Sequence, residues 1–169
     1  MCALRLLLVS AVLFWSVSVA VVPLPPSRNS PKQLAADCNG VLAFSATGSG
    51  PVHSSGIVAY KNGVVNLAST WDRELGVFTV ACSGVYQFSF SGATDRNARL
   101  VLQKRLTNGK QWLPILATAN GGGSATTLVE VSYGDQIAVF MFGTPKKFNS
   151  ELEQLADVTS FNAYRIAKI

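Results

Sequence analysis

Residues 76–92 read Gly76-Val77-Phe78-Thr79-Val80-Ala81-Cys82-Ser83-Gly84-Val85-Tyr86-Gln87-Phe88-Ser89-Phe90-Ser91-Gly92. Two short apolar runs flank a turn at Cys82-Ser83-Gly84. Beyond the turn, Tyr86, Phe88 and Phe90 alternate with Gln87, Ser89 and Ser91. A period of two with aromatic rings on one side describes a strand that puts one face into a core and the other toward water. The expectation that follows is an all-β fold, with this stretch supplying two of its strands.

The rest of the chain repeats the pattern. From Val41 onward, short apolar stretches are broken by Gly, Asn and Pro. The spacing predicts strands at Val41–Ala46, Ile57–Tyr60, Val64–Ala68, Gly76–Ala81, Val85–Gly92, Ala98–Leu106, Gln111–Ala119, Ser124–Ser132, Gln136–Phe142 and Ser160–Lys168. Lys61-Asn62-Gly63 and Asn108-Gly109 are expected to be hairpin turns, because Asn-Gly adopts the positive φ angles that tight hairpins need. Tyr133-Gly134-Asp135 is a third turn, and Asn120-Gly121-Gly122-Gly123 reads as a flexible loop. Many short strands at regular spacing argue for a two-sheet sandwich or jelly roll. Ser150, three residues before Glu153, forms a capping-box pattern, with Leu152 and Leu155 sharing a face. That segment is either one helical turn or a loop anchored by two leucines.

One strand carries more apolar surface than a sandwich needs. In Gln136–Phe142, Ile137, Val139 and Met141 point one way, and Ala138, Phe140 and Phe142 the other. A sandwich strand normally buries one face. In the last strand Phe161 and Ala163 share one face and Tyr164 and Ile166 the other. Two such faces left in water would make a patch that monomers seldom expose. A second copy of the chain in a closed ring is the expected cover, with loops or the linker as the alternative.

The beginning of the sequence reads as a targeting segment. Arg5 lies in a short n-region, Leu6–Val17 is apolar, and Ser18-Val19-Ala20 fits a cleavage site, so residues 1–20 are expected to be a secretory signal peptide. A retained anchor is the alternative, since the apolar run extends to Val22. Residues 21–40 are a Pro- and Ser-rich linker without a Gly-x-y repeat. Residues 41–169 are one domain, long enough to bury a core without several staples. Of the three cysteines, Cys2 leaves with the signal peptide. The remaining pair, Cys38 and Cys82, fits one disulfide in an oxidising compartment; two buried thiols or a link to another chain fit the count as well.

Charge and chemistry narrow the function. The net charge is +5, and no run of Lys and Arg exceeds two residues, so nucleic acid is not an expected partner. The single histidine, His53, lies in a loop-like stretch, and no Gly-x-Ser-x-Gly elbow is present, so no catalytic residues are expected. One histidine and two cysteines do not make a structural zinc site. Glu151, Glu153 and Asp157 offer oxygen ligands without an alternating Asp/Asn loop. They read as a solvated acidic loop, with calcium the alternative to the expectation of no cofactor. Arg96, Arg99, Arg105 and Lys110 fall in one strand-turn region. Arg99, Val101, Gln103 and Arg105 share a face opposite Leu100 and Leu102, expected to be solvated and able to attract anionic ligands. Ordinary surface charge is the plainer account of these residues.

Four segments in order resemble the complement C1q globular head family. They are Leu42-Ala43-Phe44-Ser45-Ala46, Gly76-x-Phe78 through Gly84-x-Tyr86-x-Phe88, Leu128 with Gly134-Asp135-Gln136-Ile137, and Ser160-Phe161-Asn162-Ala163-Tyr164. Departures are Ala163 where the family has Gly, Arg165 where it has an apolar residue, and Cys82 two positions beyond its common cysteine. A Cys38–Cys82 link would therefore be private to this chain. The resemblance implies a jelly roll shared with tumour necrosis factor and a homotrimer. Phe44, Tyr86, Phe88, Phe90, Phe140, Phe142 and Phe161 would pack the core or the trimer, with Tyr86, Phe88 and Phe90 near its axis. Gly84, Gly134 and Asp135 would be family turn residues. The implied function is a secreted, non-enzymatic head that recognises a protein, glycan or microbial-surface ligand in innate immunity. A receptor-binding signalling ligand or a matrix component are the other roles such heads take. No stable membrane anchor is expected after cleavage.

Overall fold

The computed structural model describes residues 38–67, 70–149 and 158–169. The predicted signal peptide, most of the predicted linker, the possible helical turn and the Glu151, Glu153, Asp157 cluster lie outside those residues. Ten strands are described: β1 Ala43–Val52, β2 Val58–Leu67, β3 Trp71–Asp72, β4 Val77–Thr79, β5 Gly84–Ala93, β6 Ala98–Arg105, β7 Leu113–Ala117, β8 Gly122–Val131, β9 Gln136–Gly143 and β10 Ser160–Ala167. They form two five-stranded antiparallel sheets, ordered β2-β1-β10-β5-β8 and β3-β4-β9-β6-β7. Neighbours in each sheet are mostly distant in sequence, the signature of a jelly roll rather than a meander.

The period-two reading holds in detail. Along β5 the side chains alternate buried and half-buried from end to end. Tyr86, Phe88 and Phe90 are fully enclosed in the single chain. The near-axis role expected for them is therefore replaced by packing against the opposite sheet. Phe44 of β1 sits at the middle of the core. Its ring stacks on Trp71 at 4.8 Å and on Phe78 at 4.9 Å, and meets Phe161 edge-on at 4.9 Å. Each such pair adds about 0.5–1.5 kcal/mol beyond the area it buries.

Two turn expectations fail. Lys61-Asn62-Gly63 is not a hairpin; it lies inside β2, where Asn62 pairs with Thr47 and Gly63 with Ala46. The register then skips Val64, so a β-bulge lets the strand run on alongside β1. Gly122 and Gly123 are likewise not loop but the start of β8, opposite Ala93 and Gly92. In both cases long-range pairing outweighs a local turn signal. Gly84, expected in a turn, opens β5, where a β-carbon would stand 2.3 Å from the Ala167 carbonyl oxygen. Its lack of a side chain lets the end of β10 close on β5.

The segment leading into β1 is tied down at several points. Cys38 and Cys82 form a disulfide across 44 residues, with Cα atoms 5.7 Å apart. The Arg165 guanidinium donates to the Cys38 carbonyl, the Arg165 amide to the Leu42 carbonyl, and Lys168 to the Asn39 side chain. Arg165, out of place against the family pattern, thus clamps residues 38–42 to the last strand. From the other side, the Tyr86 hydroxyl donates to the Cys82 carbonyl at 2.7 Å. Burial pushes that phenol up to about 12, against the opposing charge of Arg165, so it stays protonated and able to donate. Closing a loop of this length stabilises a chain by about 4 kcal/mol on the chain-entropy account. Cys38→Ser is expected to cost about 2–4 kcal/mol, read as a lower urea midpoint. The unaltered protein in reductant should show a similar drop, and an unchanged midpoint in both would contradict this.

Candidate functional site

The outer faces of the two sheets differ. On the β2-β1-β10-β5-β8 sheet, one row across all five strands reads Leu67, Ala43, Tyr164, Gln87, Leu128. Leu128 is 59% exposed, Tyr164 46% and Ile166 of the same strand 50%, with Val65 and Leu67 exposed at the β2 edge. The Tyr164 hydroxyl donates to the Gln87 side chain at 3.0 Å, which fixes the ring across the sheet. The neighbouring row is polar: Ser45, Asn162, Ser89 and Thr126, with the Ser45 hydroxyl donating to the Asn162 side chain at 2.6 Å.

 Ser45 and Asn162 are thus bonded within the sheet, and the apolar row is left in water.

The β3-β4-β9-β6-β7 sheet covers its own apolar residues. Phe140 and Ala138 of β9 form a second buried cluster with Val77, packed under Ile57 and Trp112. Trp112 meets Phe140 edge-on at 5.1 Å, and the Arg105 guanidinium lies over the Trp112 ring at 4.8 Å. Arg105 also donates to the Gln136 side-chain oxygen through Nε and Nη2. The uncovered outer face expected on β9 is therefore mostly closed from within, and only Phe142, 44% exposed, remains open. The expected solvated face of β6 is corrected for the same reason: under this cover Val101 is 5% exposed and Gln103 6%. Arg99, Val101, Gln103, Trp112, Pro114 and Phe142 line a groove of about 380 Å³ on this face.

The four basic residues do not form one cluster. Arg96 lies in the turn before β6 and Arg99 at the start of that strand; Arg105 ends it and Lys110 lies beyond. Six residues of extended chain separate Arg99 from Arg105 by about 20 Å. Lys110 lines a separate hollow with Leu106, Gly109, Gln111 and Leu113. Of the expected packing residues, Phe44, Tyr86, Phe88, Phe90 and Phe161 lie in the main core, while Phe140 and Phe142 lie on the outer side of β9. The His53 Nε2 donates to the Glu74 carbonyl at 2.9 Å. Sequence reasoning missed Trp112. Its signal was available: a tryptophan just after a hairpin turn, in a chain whose Gln136–Phe142 strand has two apolar faces that need cover.

Asp135 organises the turn end of the sandwich. Its carboxylate accepts the Ser132 amide at 3.0 Å and the Thr107 amide at 3.1 Å, and pairs with Lys104 at 2.9 Å. Its carbonyl accepts the Val80 amide. Gly134 beside it has φ +82°, and a β-carbon there would stand 2.6 Å from the Thr107 hydroxyl, so glycine answers both the backbone angle and the close approach. Burial raises the Asp135 carboxyl, but the Ser132, Lys104 and Thr107 bonds outweigh it and hold the group below its ordinary value.

With this geometry described, comparison with known proteins defines the class. Residues 43–162 match the C1q domain, and the chain belongs to the C1q domain family. Its fold is similar to the globular domain of zebrafish complement 1qA, with a TM-score of 0.57 at 15% identity over 77% of this chain and 100% of that one. Murine APRIL gives 0.57 at 10% identity over 75% and 100%. Eiger TNF from S. frugiperda gives 0.54 at 13% over 76% and 94%. These likenesses are of fold. No curated protein sequence matches the chain.

A carboxyl held low in the folded state stabilises the fold fully above its unfolded value, about 3.9, and loses that contribution as pH falls through the folded value. Asp135→Asn should therefore cost about 2–3 kcal/mol at pH 7, and its stability should fall less than that of the unaltered chain below pH about 4. Thermal melts from pH 7 to 3 measure both; parallel curves would contradict the assignment.

Proposed function

We propose that this chain is a secreted, non-enzymatic C1q-domain binding protein that acts as a homotrimer and recognises an extracellular ligand. The observation that carries the reading is the apolar row Leu67, Ala43, Tyr164, Leu128, with Ile166 beside it, on the outer face of one sheet. A face of this kind is a cost in water and a gain when a second copy covers it. The trimer that the C1q resemblance implies supplies that copy. The cover expected on β9 thus moves to the opposite sheet, because Trp112 and Ile57 already close β9. The binding role follows from family membership. Secretion rests on the N-terminal targeting pattern and on the Cys38–Cys82 disulfide, which suits an oxidising compartment. Recognition of a microbial surface, glycan or protein in innate immunity is the role we propose for the exposed loops and for the face left free by assembly.

Sedimentation of the secreted protein should give three times the mass of one mature chain at micromolar concentration. Leu128→Asp, on a solvent-facing position of the single chain, should shift it to monomer without loss of fold. A folded monomer from the unaltered chain would overturn the proposal. Mass spectrometry should find Val21 at the N-terminus of the secreted protein, and retention of residues 1–20 would contradict the targeting reading.

A further inference from the structure

The groove over β6 contains a polar group that the fold does not use. Gln103 is 6% exposed and lines the groove, yet its side-chain amide makes no hydrogen bond to any described residue. Its amide nitrogen and oxygen are not sealed from solvent as the Tyr60 hydroxyl and Trp71 Nε1 are, so they open on the groove. Arg99 is exposed and makes no ion pair among the described residues, while no carboxylate lines the groove. Between Arg99 and Gln103 the floor is Val101, walled by Trp112, Pro114 and Phe142. Arg99 and Gln103 are four residues apart on one face of β6, a Cα spacing of about 13 Å.

We propose that this groove binds a cyclic organic carboxylate that carries a hydroxyl or amide group on its ring. The guanidinium of Arg99 takes the carboxylate, for which its planar fork is suited. The ring lies over Val101 against Trp112 and Phe142. The ring's polar group meets the Gln103 amide, which offers both a donor and an acceptor. Arg105 is not the anion site, because Gln136 and the Trp112 ring already hold it. Its contact fixes Trp112 as a rigid wall. The volume, about 380 Å³, lies in the range of small-ligand sites, which pair an apolar lining with a few placed polar groups. The inference rests on the binding-module reading and names the chemistry of one of its ligands. The groove is on the sheet opposite the proposed trimer face, so assembly leaves it open.

The test uses the secreted protein with methyl glucuronide and 4-hydroxycyclohexanecarboxylate, one sugar acid and one non-sugar acid. Their neutral counterparts are methyl glucoside and 4-hydroxycyclohexanecarboxamide. Trp71 is buried, and Trp112 is the partly exposed indole of the described residues, so tryptophan fluorescence reports on the groove. Both acids should quench or shift the emission and show saturation transfer, with the neutral compounds at least tenfold weaker. Arg99→Gln should weaken the acids about tenfold. Gln103→Leu should weaken them about threefold or more while the melting temperature stays level or rises, which a purely structural role for Gln103 would not produce. If only one acid binds, the source is that class of ligand and the site stands. Equal binding of acids and neutral compounds, no binding at millimolar concentration, or binding unaffected by both substitutions would overturn the proposal. A trimer that binds neither acid refutes the groove alone; a monomer that binds them refutes the assembly alone.

Discussion

The fold depends on the stacking of aromatic rings between the two sheets. Phe44, from β1, touches rings from β3, β4 and β10 at once, and so joins both sheets through one side chain. Phe161 extends the contact to Tyr60 and Phe88, and Phe78 to Tyr86. Burying each ring stabilises by about 1.5–3 kcal/mol, and a shift of one residue in any strand would turn its rings to water. The register is therefore fixed from inside. Once it is fixed, the residues between the rings have no choice of side, and the chemistry of the two outer faces follows from the core.

That constraint explains why the outer faces differ. Both carry apolar residues between those that pack the core. On one sheet, Trp112 and Ile57 fold over the outer apolar positions and leave a small walled groove. On the other, Leu128, Tyr164 and Ile166 have no such cover. One self-covered face with a polar group in its groove and one uncovered flat face suit a division between ligand and copy.

The core was readable in the sequence because it rests on a simple period. Tyr86, Phe88 and Phe90 at alternate positions define β5, and the apolar runs on either side of Gly134-Asp135 define β8 and β9. Asn62-Gly63 misled because it is a local signal. Its turn preference is worth little beside the ladder that β1 provides, and the bulge at Val64 absorbs the mismatch. The two residues of β3 are too few to show a period, yet they place Trp71 against Phe44. The outer face of β6 misled for another reason. Period two says which residues point outward but not whether a distant ring lies over them, and Trp112 does.

The buried polar groups separate structure from function more sharply than the exposed charges do. Asp135 is enclosed and fully engaged: Lys104, two amides and a backbone pairing account for its oxygens. Such a group holds turns in place and has nothing left to offer a ligand. The Tyr60 hydroxyl and Trp71 Nε1 are enclosed without a hydrogen-bond partner among the described residues, but they lie inside the aromatic core. There they cost stability. Gln103 alone of these combines an unused amide with a place on a groove. A polar side chain open on the groove, beside Arg99 and an apolar floor, is what the proposed site for a small acid requires.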